Sequence, residues 1–293
     1  MAGHPHPRDV WLPAALAVAA VVLRLLAGPL TVDDAYITFR YSRNLAAGLG
    51  LVYNPGQAVL GTTTPLLALL LAGLYAATRV AIPTLALVVN ALADGAIVWL
   101  LYDLARRLRL PVGIAAAAGA FWIFYPMAMR YSVGGMETSL ATALLMAAFS
   151  LYMAGRAEAA MLPAGLAVLA RPEAAAAVVL LFVADWVERL RFPWLPALTL
   201  GAIWLPWAAF AQWQYGGFIP QSVLAKSQAV YLVEPLASAR EIVLQLGGLL
   251  AFGPLGIGAQ GITLYFPGAE GLPWILAAVP MLLIWAGGVV VAV

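Results

Sequence analysis

The sequence predicts an all-α fold, a polytopic bundle of transmembrane helices. Of 293 residues, 64% are hydrophobic and 10% charged, and the mean hydropathy is +0.95, which leaves too little polar surface to cover a soluble domain. Apolar stretches of about 17 to 25 residues recur, the length at which a helix crosses a hydrocarbon core roughly 30 Å thick. Within them polar and apolar residues do not alternate, so the strands of a membrane barrel are excluded. The small net charge of +2 comes from scattered basic residues and gives nucleic acid no electrostatic footprint. The absence of cysteine removes disulfides, thiol catalysis and thiolate metal sites.

The first span is read over residues 10–26, behind Arg8. It is longer than the apolar core of a signal peptide, about 7 to 15 residues, and it ends in Gly28-Pro29 instead of a small-x-small cleavage site, so it is retained. His4 and His6 belong to the tail ahead of it. Lys and Arg collect in short cytoplasmic loops, which places Arg8 inside and Thr31 outside. Residues 31–45 then read as an interfacial helix, with Ile37, Tyr41 and Leu45 on one face and Tyr36, Arg40 and Arg43 on another. They open a first outer loop over residues 28–82. Its apolar piece 65–77 is re-entrant or interfacial: about 13 residues is short for a crossing, and a crossing would put Arg106, Arg107 and Arg109 outside. Irregular backbone at that depth implies a cavity.

Span two covers residues 83–104 and ends inside at that arginine cluster. Span three, 112–129, returns to the outer segment Arg130 to Glu137, and span four, 138–154, comes back to Arg156. Spans five and six, 159–170 and 173–187, form a hairpin broken outside at Arg171-Pro172, where proline removes a donor and turns the preceding residue away from helix. Glu188, Arg189 and Arg191 follow inside. Span seven, 194–213, leads to a second outer loop over 214–241 that carries Lys226. Spans near 242–257 and 273–293 complete about nine. The whole of 1–293 reads as one transmembrane domain with no soluble C-terminal domain and no internal repeat of the transporter kind.

This topology sends Asp33, Asp34, Glu137, Arg171, Glu173 and Lys226 to the same outer face from different helices. Cations at a membrane surface can hold a lipid-linked phosphate, and a carboxylate can accept the proton of an attacking hydroxyl. Each residue also has a plainer role. Thr31-x-x-Asp34 has the form of a capping box, Glu137 stands where it would cap span four, and Arg40, Arg43 and Arg171 could anchor helices at headgroups. Asp94, Asp103 and Asp185 read as bundle or boundary residues, and the tryptophans as interface markers.

Several blocks then carry a resemblance. Asp33-Asp34-Ala35-Tyr36-Ile37-Thr38-Phe39-Arg40-Tyr41, Asn44-Leu45, Gly48-Leu49-Gly50-Leu51-Val52-Tyr53-Asn54-Pro55-Gly56, Gly135-Met136-Glu137-Thr138 and Leu169-Ala170-Arg171-Pro172-Glu173 resemble the GT-C class of multi-pass glycosyltransferases. The look is closest to the bacterial branch that includes terminal arabinofuranosyltransferases of mycolated cell walls, and it extends from about Val10 to Lys226. The resemblance implies an enzyme of cell wall biogenesis in the plasma (inner) membrane, with its active site on the periplasmic or extracellular face. It would take a sugar from a polyprenyl-phosphate donor and pass it to a cell-envelope glycan, lipid or protein acceptor. Asp33 maps to the catalytic base and Glu137 to a contact with acceptor or, in some members, a metal.

Asp34, Arg40, Arg171, Glu173 and Lys226 are the further substrate-binding candidates. The scheme requires no cofactor, though Asp33 and Glu137 could share a divalent metal ion. Two features depart from the pattern: Gln57 and Gly61-Thr62-Thr63-Thr64-Pro65 stand where relatives commonly have a charged residue, and the outer carbohydrate-binding domain of many relatives is missing. The alternative from another class is a transporter or flippase of a lipid-linked saccharide, which would set an ionisable cluster near mid-membrane on broken helices.

Overall fold

A computed structural model describes residues 8–221 and Leu224. Lys226, the last two expected spans, most of the second outer loop and the tail with His4 and His6 lie outside the described residues. Every regular element among the described residues is helical: α1 (Arg8–Ala27), α2 (Ala35–Ala46), α3 (Pro65–Thr78), α4 (Ile82–Arg107), α5 (Val112–Phe124), α6 (Pro126–Val133), α7 (Thr138–Met153), α8 (Ala157–Ala170), α9 (Ala175–Arg189) and α10 (Trp194–Tyr215), with a 3-10 turn, Pro172–Ala174, ahead of α9.

Among the described residues three segments are long and apolar enough to cross a membrane: Val10–Ala27, Ile82–Arg107 and Trp194–Tyr215. The pair Val112–Phe124 and Met127–Val133 would make a fourth if taken as one span bent by 55°. At 14 residues α3 rises about 21 Å, short of the hydrocarbon core, and α8 at 14, α9 at 15 and α7 at 16 residues, expected as spans, are similarly short.

Close packing among the helices rests on small residues, which let backbones approach where no water is expelled between them. Gly95 of α4 lies so near α1 that an added Cβ would stand 2.7 Å from Val21 Cγ2. Ala148, Ala160, Ala164 and Met161 are fully buried where α7, α8 and α9 meet. Hydrogen bonds then tie each end of the bundle. At one end the Ser150 hydroxyl donates to Asp103 Oδ2 at 2.6 Å and Arg189 Nη1 to Glu158 Oε1 at 3.1 Å. At the other, Leu30 N donates to Val133 O, Val32 N to Gly134 O, and the Tyr215 hydroxyl to Leu51 O. The segments expected to share one face therefore do share one end.

Two expectations need correction. Residues 112–129 are not one straight span. Pro126 has no N–H to donate and holds Tyr125 extended at φ −71°, ψ 117°, which ends α5 and restarts the chain as α6.

Arg24, near the end of α1, is fully buried beside that break. Its Nη1 donates to Ile123 O at 2.6 Å and its Nη2 to Trp122 O at 3.2 Å, carbonyls of the last turn of α5, while its Nε reaches Asp94 Oδ2 at 2.8 Å. Asp94 is the bundle residue expected.

The expected face of α2 is also redistributed. Its buried residues are Ala35, Thr38, Phe39, Tyr41 and Ser42, whereas Ile37 is 39% exposed. The cause is contact on two sides, with α3 and α4 against one flank and the Gly134-Gly135 linker against another, so the small side chains turn inward. Ser42 satisfies its hydroxyl by donating to Thr38 O at 2.9 Å.

Candidate functional site

The site is assembled at the end of the bundle where α2 begins. Gly135, at φ +80° and with an added Cβ only 2.9 Å from Phe39 Cζ, is a position that only glycine fits, and it lets the α6–α7 linker lie against α2. Residues 30–32 bond to the carbonyls of Val133 and Gly134 at 3.0 Å. The turn carrying Asp33 and the linker carrying Glu137 are thereby locked to one another.

Asp33 and Asp34 are both exposed. Asp33 Oδ1 accepts the Asp34 N–H at 3.0 Å, and its other oxygen has no hydrogen bond among the described residues. Asp34 is the N-cap of α2 but makes no side-chain cap bond, so the capping-box alternative is not realised. Glu137 occupies the corresponding place before α7 and makes no cap bond either.

Glu137 instead turns to the hairpin. It is 3% exposed, and its Oε1 accepts from Arg171 Nη1 at 3.1 Å. The same nitrogen donates to Thr138 Oγ1 at 3.2 Å, and Nη2 reaches Glu173 Oε1 at 3.3 Å. Glu137 Oε2 is buried without a hydrogen-bond partner among the described residues. Burial raises the Glu137 carboxyl above the ordinary glutamate range, and the nearby guanidinium only partly opposes it. Glu173 goes the other way: mostly exposed, it is held low by a hydrogen bond from its own backbone N–H and then by Arg171.

The structure thus joins Glu137, Arg171 and Glu173 directly and sets the Asp33 turn against the same linker, without a bond between Asp33 and the trio. Arg40 stands apart. Its Nε donates to Tyr53 O at 2.9 Å, its Nη2 to Asn54 Oδ1 at 3.1 Å, and its guanidinium lies 4.5 Å from the Tyr53 ring centroid. It fixes the turn that follows α2.

Two groups of residues were missed in the sequence. Asn90, a lone amide in the middle of α4, donates to Met136 O at 2.8 Å and steadies the residue before Glu137, while its Oδ1, like the Ser132 hydroxyl, is buried without a partner. A single amide inside an apolar run was the available signal. Thr38, Thr62 and Thr64 form a buried hydroxyl cluster with contacts of 3.2 to 3.5 Å that pins the start of α3 to α2. The Thr-Thr-Thr run gave two of them; Thr38 had no mark of its own.

A cavity lies beside α2. It occupies about 360 Å³ between Ile37 and Tyr41 of α2 and loop residues 53–61. Tyr41, fully buried, closes the loop by donating to Val59 O at 2.5 Å and accepting the Gly61 N–H at 2.8 Å. Burial pushes its phenol pKa up.

Glu137 Oε1 is occupied by a guanidinium, and among the described residues no three His, Asp or Glu side chains converge as ligands. Set against protein-family models, curated proteins and solved structures, the chain matches none.

Proposed function

We propose that the protein is a GT-C-like integral-membrane glycosyltransferase. It takes a sugar, arabinofuranose on the resemblance of its first outer loop, from a polyprenyl-phosphate donor and passes it to a cell-envelope glycan, lipid or protein acceptor. In this reading the chain crosses the plasma membrane about nine times, with the Asp33 end of the bundle facing outward. One observation carries it: an exposed carboxylate at Asp33 stands on a turn locked to the linker that bears the Glu137–Arg171–Glu173 trio, so a base and a cation share one end of the bundle.

The chemistry balances with these groups alone. Asp33 accepts the proton of the acceptor hydroxyl as that oxygen bonds to the anomeric carbon. The bond from that carbon to the phosphate oxygen breaks, and polyprenyl phosphate leaves with the electron pair. Arg171, more than a third exposed, is placed to neutralise the departing phosphate, with Lys226 as a further cation in the proposal. Glu137 holds Arg171 in position, and Asp34 and Glu173 remain for acceptor hydroxyls. A single displacement with one base inverts the anomeric centre.

The transporter is the second reading, and one feature favours it: the buried Arg24–Asp94 pair sits beside a broken helix. One variant separates the two. In membranes supplied with a labelled polyprenyl-phosphate sugar, Asp33→Asn loses sugar transfer by about 10²-fold or more, the scale of a missing general base, with an unchanged melting temperature. A transfer rate equal to that of the parent protein removes Asp33 from the base role and the enzyme from first place.

A further inference from the structure

The cavity beside α2 has no part in the scheme above, and its chemistry is specific. At about 360 Å³ it falls at the lower end of small-molecule sites, which span roughly 300 to 1,000 Å³. None of its lining residues is charged: it offers the phenol of Tyr53 and the amides of Asn54 and Gln57, with Ile37, Val59 and the buried Tyr41 as wall. A phosphate would find no cation among them, and neighbouring Arg40 is already committed to Tyr53 O and Asn54 Oδ1. What such walls do match is a neutral ring bearing hydroxyls. Amides supply donor and acceptor side by side, and phenol rings pack against C–H faces.

The walls are also held in advance of any ligand. Tyr41 bridges Val59 O and the Gly61 N–H, Arg40 clamps the Tyr53–Asn54 turn, and Asn54 Nδ2 donates to Gln57 Oε1 at 3.0 Å. That last bond orients the Gln57 amide, whose NH₂ has no partner among the described residues. A site ordered beforehand loses less entropy on binding.

Its position links it to the reaction. Asp33, Ile37 and Tyr41 follow at spacings of four. The chain already turns helically at Asp34, φ −59° and ψ −29°, with Tyr36 N bonded to Asp33 O at 3.0 Å. Four residues of helical rise therefore put Asp33 roughly 6 Å beyond the cavity wall at Ile37.

We propose that this cavity is a subsite for one neutral sugar ring, delivering it to Asp33. The inference rests on the glycosyltransferase reading and deepens it. Two sources could supply such a ring, the terminal unit of the acceptor or the glycosyl group of the donor.

The test uses the full chain in detergent and saturation-transfer NMR, with methyl α-D-arabinofuranoside as the glycoside and farnesyl phosphate as the lipid phosphate. Gln57→Trp fills the cavity from an exposed position, and Gln57→Ala removes the amide without filling it. The expected result is an apparent Kd for the glycoside that rises about tenfold or more in Gln57→Trp and about threefold in Gln57→Ala, with farnesyl phosphate binding unchanged in both. A third probe, farnesyl-phosphoryl arabinofuranose, names the source. Weaker binding to Gln57→Trp assigns the ring to the donor, and unchanged binding assigns it to the acceptor. The subsite is refuted if the parent protein and both variants bind the glycoside alike, or if farnesyl phosphate binds and the glycoside does not. Either result leaves the glycosyltransferase reading standing, because that reading fails only on Asp33→Asn.

Discussion

Arg24–Asp94 and Arg171–Glu137 are both arginine–carboxylate pairs that join separate helices, and they are built in opposite ways. In the first, both side chains are 0% exposed, the guanidinium gives two further donors to carbonyls at the α5 break, and Asp94 Oδ1 accepts from Trp122 Nε1 at 3.4 Å. In the second, the carboxylate is buried with one oxygen unpaired, while the arginine is 37% exposed and reaches out to a Glu173 that is 71% exposed. The closed pair has nothing left to offer a ligand. The open pair keeps an accessible cation on a buried anchor, which is what a leaving phosphate would meet. Burial alone does not tell a structural charge from a functional one; the count of satisfied partners does.

The sharpest way to break this comparison is to cut the closed pair. Asp94→Asn leaves Arg24 charged and enclosed, and the expected loss of stability is about 3 to 5 kcal/mol, read as a large drop in melting temperature in detergent. The double variant Arg24→Met/Asp94→Asn removes the stranded charge and should recover part of the loss. Full recovery is not expected, because the Ile123 carbonyl loses the Arg24 donor and the Trp122 carbonyl one of two. A single variant as stable as the parent would mean that the pair is not closed.

A smaller effect is expected where the two segments of the site meet. Gly135→Ala places a Cβ at φ +80° and 2.9 Å from Phe39 Cζ, so backbone strain and a clash act together at a cost of about 1 to 3 kcal/mol. The readout that matters is activity. If the Asp33 turn and the Glu137 linker work as one site, transfer falls by more than the loss of folded protein explains. A proportional fall would uncouple them.

The two pairs also differ in how far the sequence announced them. Pro172 marked the hairpin break, and with it Arg171 and Glu173, because a proline acts on its own neighbours whatever packs around it. The same rule applied to Tyr125-Pro126 would have divided residues 112–129; the uninterrupted apolar run on both sides concealed it. Arg24 and Asp94 each stood as an isolated charge in an apolar stretch, and such charges seek one another. Their separation of 70 residues gave no spacing from which to read the pairing. For α2 the bulky stripe Ile37–Tyr41–Leu45 suggested a lipid-facing helix, but Ala35 and Phe39 meet the linker because Gly135 leaves them room. Which face of a short helix is buried depends on what approaches it, and the approaching linker lies a hundred residues away. Arg40 was legible as a charge and illegible as a clamp, since its partners are a backbone carbonyl and an amide in a turn.

The gentlest change sharpens the comparison most. Glu137→Gln keeps the shape of the side chain and an acceptor for Arg171, and the partner it deprives of charge is partly solvated and retains Glu173, so the stability change should stay within about 1 kcal/mol. Its sign depends on pH. Because burial raises the Glu137 carboxyl above its unfolded value, ionising it in the folded protein carries a penalty at neutral pH. That penalty fades as pH falls through the folded pKa and is gone below the unfolded value, about 4.3. The glutamine variant has no such penalty, so its advantage over the parent should be greatest at neutral pH and shrink on acidification. Melting curves of the two proteins from pH 7.5 to pH 4.5 measure it, a range set by the direction of the shift and the ordinary glutamate value. An advantage that grew toward acid would mean the guanidinium outweighs burial, and Arg171 would then be held too tightly by Glu137 to serve a phosphate.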